Sequence, residues 1–356
     1  MKIYFAGSIS GGRQDKELYK ELIDHLSKHG KVLTEHFGST ELTEMGEADR
    51  TAKYIHDRDL DWITESDVLI AEVSTPSLGV GYEIAKAEDM DKKTLCLYRT
   101  QENTKLSSMI DGSDKVEIFK YTDKEKAKQK IDGFFKQIEQ ERVIEKTVTF
   151  VKEKLAGAEG GHDWWHIERV WKSAKQIAKG ENVNGFIVEL GALLHDIADS
   201  KFHGGDETVG PKKAREFLSS VNAPENVIEH VELIITNISF KGGKVEQKFK
   251  SPELDVIQDA DRLDALGALG IARTFNYGGH KGHEIYNPEI EPNFNMTKEE
   301  YKNSKAPSLN HFYEKLLLLK DRMNTETGKR LAEERHNFMQ SFLDQFFKEW
   351  NSEATI

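Results

Sequence analysis

The 356-residue sequence contains a single cysteine, Cys96, so neither an intramolecular disulfide framework nor a thiolate zinc cluster can form within one chain. Any bound metal must therefore use histidine and carboxylate ligands. No segment approaches the roughly 18 consecutive apolar residues that a membrane helix requires. The opening Lys2–Ala6 run is shorter than a signal-peptide core, and the expectation is a cytoplasmic protein with no membrane partner. Net positive charge is lacking as well: 50 Lys and Arg stand against 62 Asp and Glu, a formal charge of -12. That balance disfavours broad nucleic-acid binding, which needs clustered cations against phosphates, but a helix N-terminus and a few local groups can still hold one small phosphate.

What is present is patterned along the whole chain, and its length corresponds to about two domains. Lys2–Ala6, Lys31–Leu33, Val68–Val73 and Thr94–Tyr98 read as strands, and the continuous apolar runs among them suit strands covered on both faces. Lys16–Lys28 has helical spacing between the first two. An open parallel α/β sheet follows, with ligands expected beyond the carboxyl ends of its strands. From about residue 133 the strand signal fades. Phe134–Leu155, His166–Gly180, Val188–Ile197, Pro211–Val221, Asn226–Thr236 and His311–Trp350 read as amphipathic helices, and Asn276–Pro307 as a long loop.

The first strand ends in Gly7-Ser8-Ile9-Ser10-Gly11-Gly12-Arg13, directly before a helix. Such a loop reads either as an anion cradle of backbone N–H groups, with Ser8, Ser10 and Arg13 assisting, or as a plain strand-to-helix turn. A second stretch, from Glu72 through Pro76-Ser77-Leu78-Gly79-Val80-Gly81-Tyr82-Glu83, leaves a buried strand for a helix and sets Ser77 and Glu83 near the first loop. Upstream, Asp57-Arg58-Asp59 brings carboxylates to the same rim. Paired acids in a crevice can split a glycosidic bond, one attacking the anomeric carbon and one protonating the leaving group; equally, they serve as a helix cap and a solvated face.

These stretches, together with Tyr4-Phe5-Ala6, Leu33-Thr34-Glu35-His36 and Ala71-Glu72-Val73, resemble the 2'-deoxynucleoside 5'-phosphate N-hydrolases, relatives of the nucleoside 2-deoxyribosyltransferases. The resemblance implies cleavage of a deoxynucleoside monophosphate to free base and 2-deoxyribose 5-phosphate. It makes Glu83 the nucleophile and Asp59 the general acid, and it lays Tyr4 against the sugar. Ser8, Ser77 and Ser107 would hold the phosphate, and Gly7, Ile9, Ser10, Gly11, Gly12, Arg13, Gly79 and Met109 complete the implied substrate contacts. Ser107 would reach a neighbouring subunit, so a homodimer is expected. The family commonly carries Arg at the place of Ser10, and loss of that charge-assisted phosphate contact is worth roughly 1.5–3 kcal/mol.

The second half places His166 after Asp163-Trp164-Trp165, His195-Asp196 at the end of an apolar segment, and Asp261 within Gln258-Asp259-Ala260-Asp261-Arg262-Leu263-Asp264. Burying adjacent His and Asp is costly without a cation or hydrogen-bond partners, and two imidazoles with two carboxylates offer a mixed N/O site for Mn, Mg, Ni, Fe or Zn. The pattern is similar to the His...His-Asp...Asp signature of HD-domain phosphohydrolases, a resemblance that assigns His166, His195, Asp196 and Asp261 as metal ligands. Asp199 is a candidate for proton handling and Lys201 for phosphate, with an exposed ion pair as the plainer reading of both.

The expected architecture is thus an α/β Rossmann-like domain with an open parallel sheet (1–135), followed by an all-α HD domain (136–356). The expected function is bifunctional nucleotide degradation: a metal-dependent step on a nucleotide phosphate or diphosphate bond, with dNTP to dNMP favoured, and N-glycosidic cleavage of the dNMP. Two alternatives stay open: a deoxyribosyltransferase joined to an HD 5'-nucleotidase, and a nucleotide sensor without turnover.

Overall fold

The computed structural model describes residues 1–8, 15–34, 50–100, 105–157, 163–197, 206, 208–238, 249–297, 300 and 304–352. The chain divides into two compact units, Met1–Glu139 and Gln140–Ile356.

The first unit alternates strands and helices: β1 (Lys2–Ala6), α1 (Lys16–Leu26), β2 (Lys31–Val32), α2 (Ala52–Glu65), β3 (Val68–Glu72), α3 (Leu78–Asp89), β4 (Lys93–Arg99), the single turn α4 (Ser108–Asp111), β5 (Val116–Tyr121) and α5 (Lys124–Lys154). The strands pair in parallel in the order β2-β1-β3-β4-β5. Because side chains alternate along a strand, β1 sends Ile3 and Phe5 to one face and Tyr4 and Ala6 to the other. Ile3 and Phe5 join a core with Leu22 and Leu26 of α1 and Ile131 and Phe135 of α5. Tyr4 and Ala6 join Ile63 of α2 and Val80 and Ile84 of α3. The order in which strands are added reverses between β1 and β3, and the carboxyl ends of those two parallel strands flank the crevice where doubly wound sheets take ligands.

The strand β5 was not among those expected from the sequence. It lies at the sheet edge, half-buried and mixed in polarity, and lacks the continuous apolar run of β3.

The second unit is helical: α6 (Trp164–Ala178), α7 (Gly185–Leu194), α8 (Val209–Ser220), α9 (Glu225–Asn237), α10 (Pro252–Leu263), α11 (Gly267–Lys281), a short helix Asn310–Glu314 and a last helix Glu326–Trp350. The helix α7 is buried nearly all round, and α6, α7 and α10 pack on one another. Two expectations are corrected. The segment His311–Trp350 is not one helix: the chain leaves the helical conformation at Lys315, and Leu316–Leu318 and Lys320–Arg322 form tight 3-10 turns before the last helix begins. The stretch expected as a loop from Asn276 instead continues α11 through Lys281, so His280 is helical, and the helix ends at Gly282 in the left-handed conformation.

Candidate functional site

In the first unit the sheet and its two covering helices bring Tyr4, Asp59 and Glu83 together. Asp59 lies one turn before Ile63, which is fully buried, so it points from α2 toward the sheet. Glu83 sits on the face of α3 that carries Val80 and Ala87. Burial pushes the Glu83 carboxyl up to about 7; the Tyr4 hydroxyl pulls it down, and the Asp59 charge pushes it further up. Burial also holds the Tyr4 hydroxyl well above its usual range, with Glu83 and Asp59 adding to the effect, so it remains a neutral donor. That hydroxyl makes no well-formed hydrogen bond among the described residues, although it comes close enough to influence the carboxylate. Arg58 donates to Asp59 Oδ1 from Nε at 3.0 Å and from Nη2 at 2.9 Å, while its guanidinium lies 4.5 Å from the Trp62 ring.

The loops around this trio are held by a second polar group that the sequence reading did not single out. Glu72, buried at the end of β3, accepts from the Ser74 hydroxyl and, at 3.1 Å, from Tyr121 Oη. The Arg99 backbone N–H donates to Ser74 Oγ at 2.6 Å, and its guanidinium reaches Asp15 Oδ1 at 2.5 Å; Thr75 Oγ1 donates to Asp15 Oδ2 at 3.3 Å. Asp15 opens α1, so these bonds tie the start of that helix to the ends of β3 and β4. A carboxylate ending an apolar strand is the only sequence signal that would have found Glu72.

Ser77 caps α3, accepting from the Val80 N–H at 3.4 Å, and leaves the first-turn N–H groups at the crevice. A side chain at Gly81 would meet nothing within 4 Å, so backbone is accessible there. At Gly7 an added Cβ would press to 3.1 Å from the Tyr19 ring, which explains a glycine directly after β1. Ser8 is buried beside it. Ser107, at the N-cap of α4, and Met109 within it are exposed. Ile9, Ser10, Gly11, Gly12, Arg13, Asp199 and Lys201 lie outside the described residues.

In the second unit, α6, α7 and α10 deliver the four expected ligands to one place. Asp163 caps α6 by accepting from the His166 N–H at 2.9 Å. Asp261 Oδ1 lies 3.5 Å from His166 Nε2, and Asp196 Oδ2 lies 3.8 Å from Nε2 of both His166 and His195. Each imidazole is oriented from behind. His195 Nδ1 faces the Ala192 carbonyl at 2.8 Å, and His166 Nδ1 faces Asp264 Oδ2 at 2.7 Å. Arg169 donates to both Asp264 oxygens at 2.6 and 3.0 Å, and Arg273 also donates to Oδ2. Burial alone would raise the Asp264 pKa; His166 and Arg169, with the Arg273 charge, hold it well below the usual carboxylate range. The Asp264 anchor is 98 residues from His166, a pairing no local pattern reveals.

The fit to a cation rests on His195. Its Nε2 is buried with no hydrogen-bond partner among the described residues, and it faces ligand atoms of His166 and Asp261 that all lie within 4.8 Å of one another. With Nδ1 bonded to a carbonyl, the orphaned Nε2 carries the lone pair, as a metal ligand requires. Burial lowers the His195 pKa, but the charges of Asp196 and Asp261 outweigh that, so the position favours positive charge.

Comparison with known proteins gives a family for each unit. Residues 3–143 match the nucleoside 2-deoxyribosyltransferase family and residues 164–266 match the HD domain. A 5-hydroxymethyl-dUMP N-hydrolase of Tetraodon nigroviridis is 48% identical over 138 residues, 38% of this chain and 97% of that protein. The uncharacterized protein YpgQ of Bacillus subtilis is 40% identical over 204 residues, 56% of this chain and 90% of that protein. The crystal structure of an HD-superfamily hydrolase from Bacillus thuringiensis, 47% identical, covers 60% of this chain and 100% of its own, with a TM-score of 0.50. The chain is accordingly a hydrolase that belongs to the nucleoside 2-deoxyribosyltransferase family through its N-terminal unit and to the HD family through its C-terminal unit.

Proposed function

We propose that the chain is a bifunctional nucleotide-degrading enzyme, with residues 1–135 cleaving the N-glycosidic bond of a 2'-deoxynucleoside 5'-monophosphate and residues 136–356 hydrolysing a nucleotide phosphate or diphosphate bond, dNTP to dNMP first. The observation that carries the first activity is the meeting of Tyr4, Asp59 and Glu83 at the crevice between β1 and β3. Ionised Glu83 attacks C1' and forms a glycosyl ester, while Asp59 gives a proton to the departing base; water then cleaves the ester to 2-deoxyribose 5-phosphate. Tyr4 lies against the sugar. Ser8, Ser77 and the first-turn N–H groups of α3 receive the phosphate, with Ser107 and Met109 contributed across a homodimer.

The charges at the pair favour a second assignment. Arg58 holds a charge against Asp59, and Glu83 keeps its proton up to about pH 7. With roles exchanged, Asp59 attacks and Glu83 is the acid. Trapping the glycosyl ester with a 2-fluoro-substituted deoxynucleotide and mapping the labelled peptide separates the two.

In the helical unit, His166, His195, Asp196 and Asp261 would hold a divalent metal, which when bound acidifies its water and screens phosphate charge. Asp264 fixes the His166 ring, and the Ala192 carbonyl fixes that of His195. Variants test the division of labour: Glu83→Gln should lose base release from dNMP and keep diphosphate release from dNTP, and Asp196→Asn should do the reverse. Loss of both products in either variant, with the fold intact, would contradict two independent sites.

A further inference from the structure

On the opposite face of the first sheet from Tyr4 and Glu83, three further metal-ligating side chains meet. His25 stands in the last turn of α1, and His29 follows four residues later, where the chain turns tightly with the His29 N–H bonded to the Leu26 carbonyl at 2.9 Å. Asp132 comes from α5. His25 Nε2 lies 2.8 Å and His29 Nε2 2.7 Å from the same oxygen, Asp132 Oδ1. An imidazole in the last helical turn and another in the turn that follows reach the same carboxylate oxygen, so the two can chelate, and Asp132 of α5 supplies a third ligand.

The rings are held in place. His29 stacks on Phe135 with centroids 4.5 Å apart and an angle of 5°, and the His25 side chain is only 11% exposed. Asp132 is 51% exposed, so its carboxylate can move and water can take a fourth position. Among the described residues, only this trio and the His166, His195 and Asp261 group gather three such ligand atoms within 4.8 Å.

We infer that His25, His29 and Asp132 form a second metal site, selective for a first-row transition ion such as Zn2+, Ni2+ or Co2+ over Mg2+ or Ca2+. Two imidazole nitrogens make the donor set borderline-soft, which oxygen-seeking cations do not favour. Ligand atoms around tetrahedral Zn2+ stand roughly 3.3 Å apart at bonds of ~2.0–2.1 Å, so binding opens the present N···O spacing slightly through the exposed carboxylate. The ion would clip the end of α1 to α5. It lies outside the carbon–nitrogen and phosphorus–oxygen chemistry proposed above and does not depend on it.

The test is equilibrium dialysis of the full-length protein against low-micromolar Zn2+ above neutral pH, followed by metal analysis. His29→Gln and Asp132→Asn should each bind one equivalent fewer than the wild type, and the same difference should appear in an Asp196→Asn background, where the HD ligands are already impaired. Circular dichroism confirms the fold, and each variant alone carries the test if the other does not fold. Equal zinc content in wild type and both folded variants would overturn the site and leave only a hydrogen-bonded His–Asp–His cluster.

Discussion

At the scale of single residues, the proposed reaction of the front unit turns on the proton of Glu83. Its pKa of about 7, set first by burial, means that the ionised form is lost as pH falls. If Glu83 attacks, kcat/KM for base release should rise about tenfold per pH unit up to about pH 7 and then level, because that ratio reports free-enzyme ionisations. The exchanged assignment gives a decline above that point instead. The limb belongs to the coupled pair with Asp59 and not to one carboxyl alone. In the other unit, Asp264 orients His166, a proposed metal ligand, without being one itself. Asp264→Asn should weaken Co2+ binding at the HD site by about 10–100-fold, measured by absorbance titration. Because its folded pKa is depressed, Asp264 stabilises the protein above its ordinary unfolded value near ~4 and ceases to do so on acidification; wild type should thus lose more of its urea resistance than Asp264→Asn as pH falls through that range.

At the scale of elements, the sequence was most readable where chemistry and periodicity coincide within a few residues. The Pro76–Glu83 stretch marked the passage from a buried strand to a helix, although that helix begins at Leu78 with Ser77 as its cap, and His195-Asp196 marked the end of an apolar helix. What escaped were features set by long-range contact: the edge strand β5, the break at Leu316–Leu319, and the bonds from Glu72 to Tyr121 and from Arg169 to Asp264, partners 49 and 95 residues apart. Glycines within α11 show the same limit. A Cβ at Gly270 would fall 2.2 Å from the Ala265 carbonyl oxygen, whereas at Gly279 it would meet nothing within 4 Å. Gly270→Ala should therefore destabilise by ~1–3 kcal/mol, and Gly279→Ala, in an exposed helical position, should stabilise by ~0.5–1 kcal/mol. Urea unfolding of the two variants checks the opposite signs.

At the scale of the whole molecule, two compact units, one with a core on each face of its sheet and one with a helical core, support two sets of chemistry-bearing residues. The unit boundary falls inside α5, whose first half packs Ile131 and Phe135 into the sheet's core and whose second half packs Val151 into the helical core. The proposed order of reactions follows from the products: hydrolysis of a dNTP to diphosphate and dNMP would yield the substrate proposed for the front site. In the proposed chemistry the front trio uses acids and a buried hydroxyl, and the rear site a cation on imidazole and carboxylate. A chelator must therefore separate them. The most direct measurement is a product analysis of wild-type protein given dNTP or dNMP, each with and without EDTA. The account predicts free base from dNMP in both conditions, and from dNTP only when metal is present. Base released from dNTP under EDTA, or no base from dNMP in either condition, would contradict it.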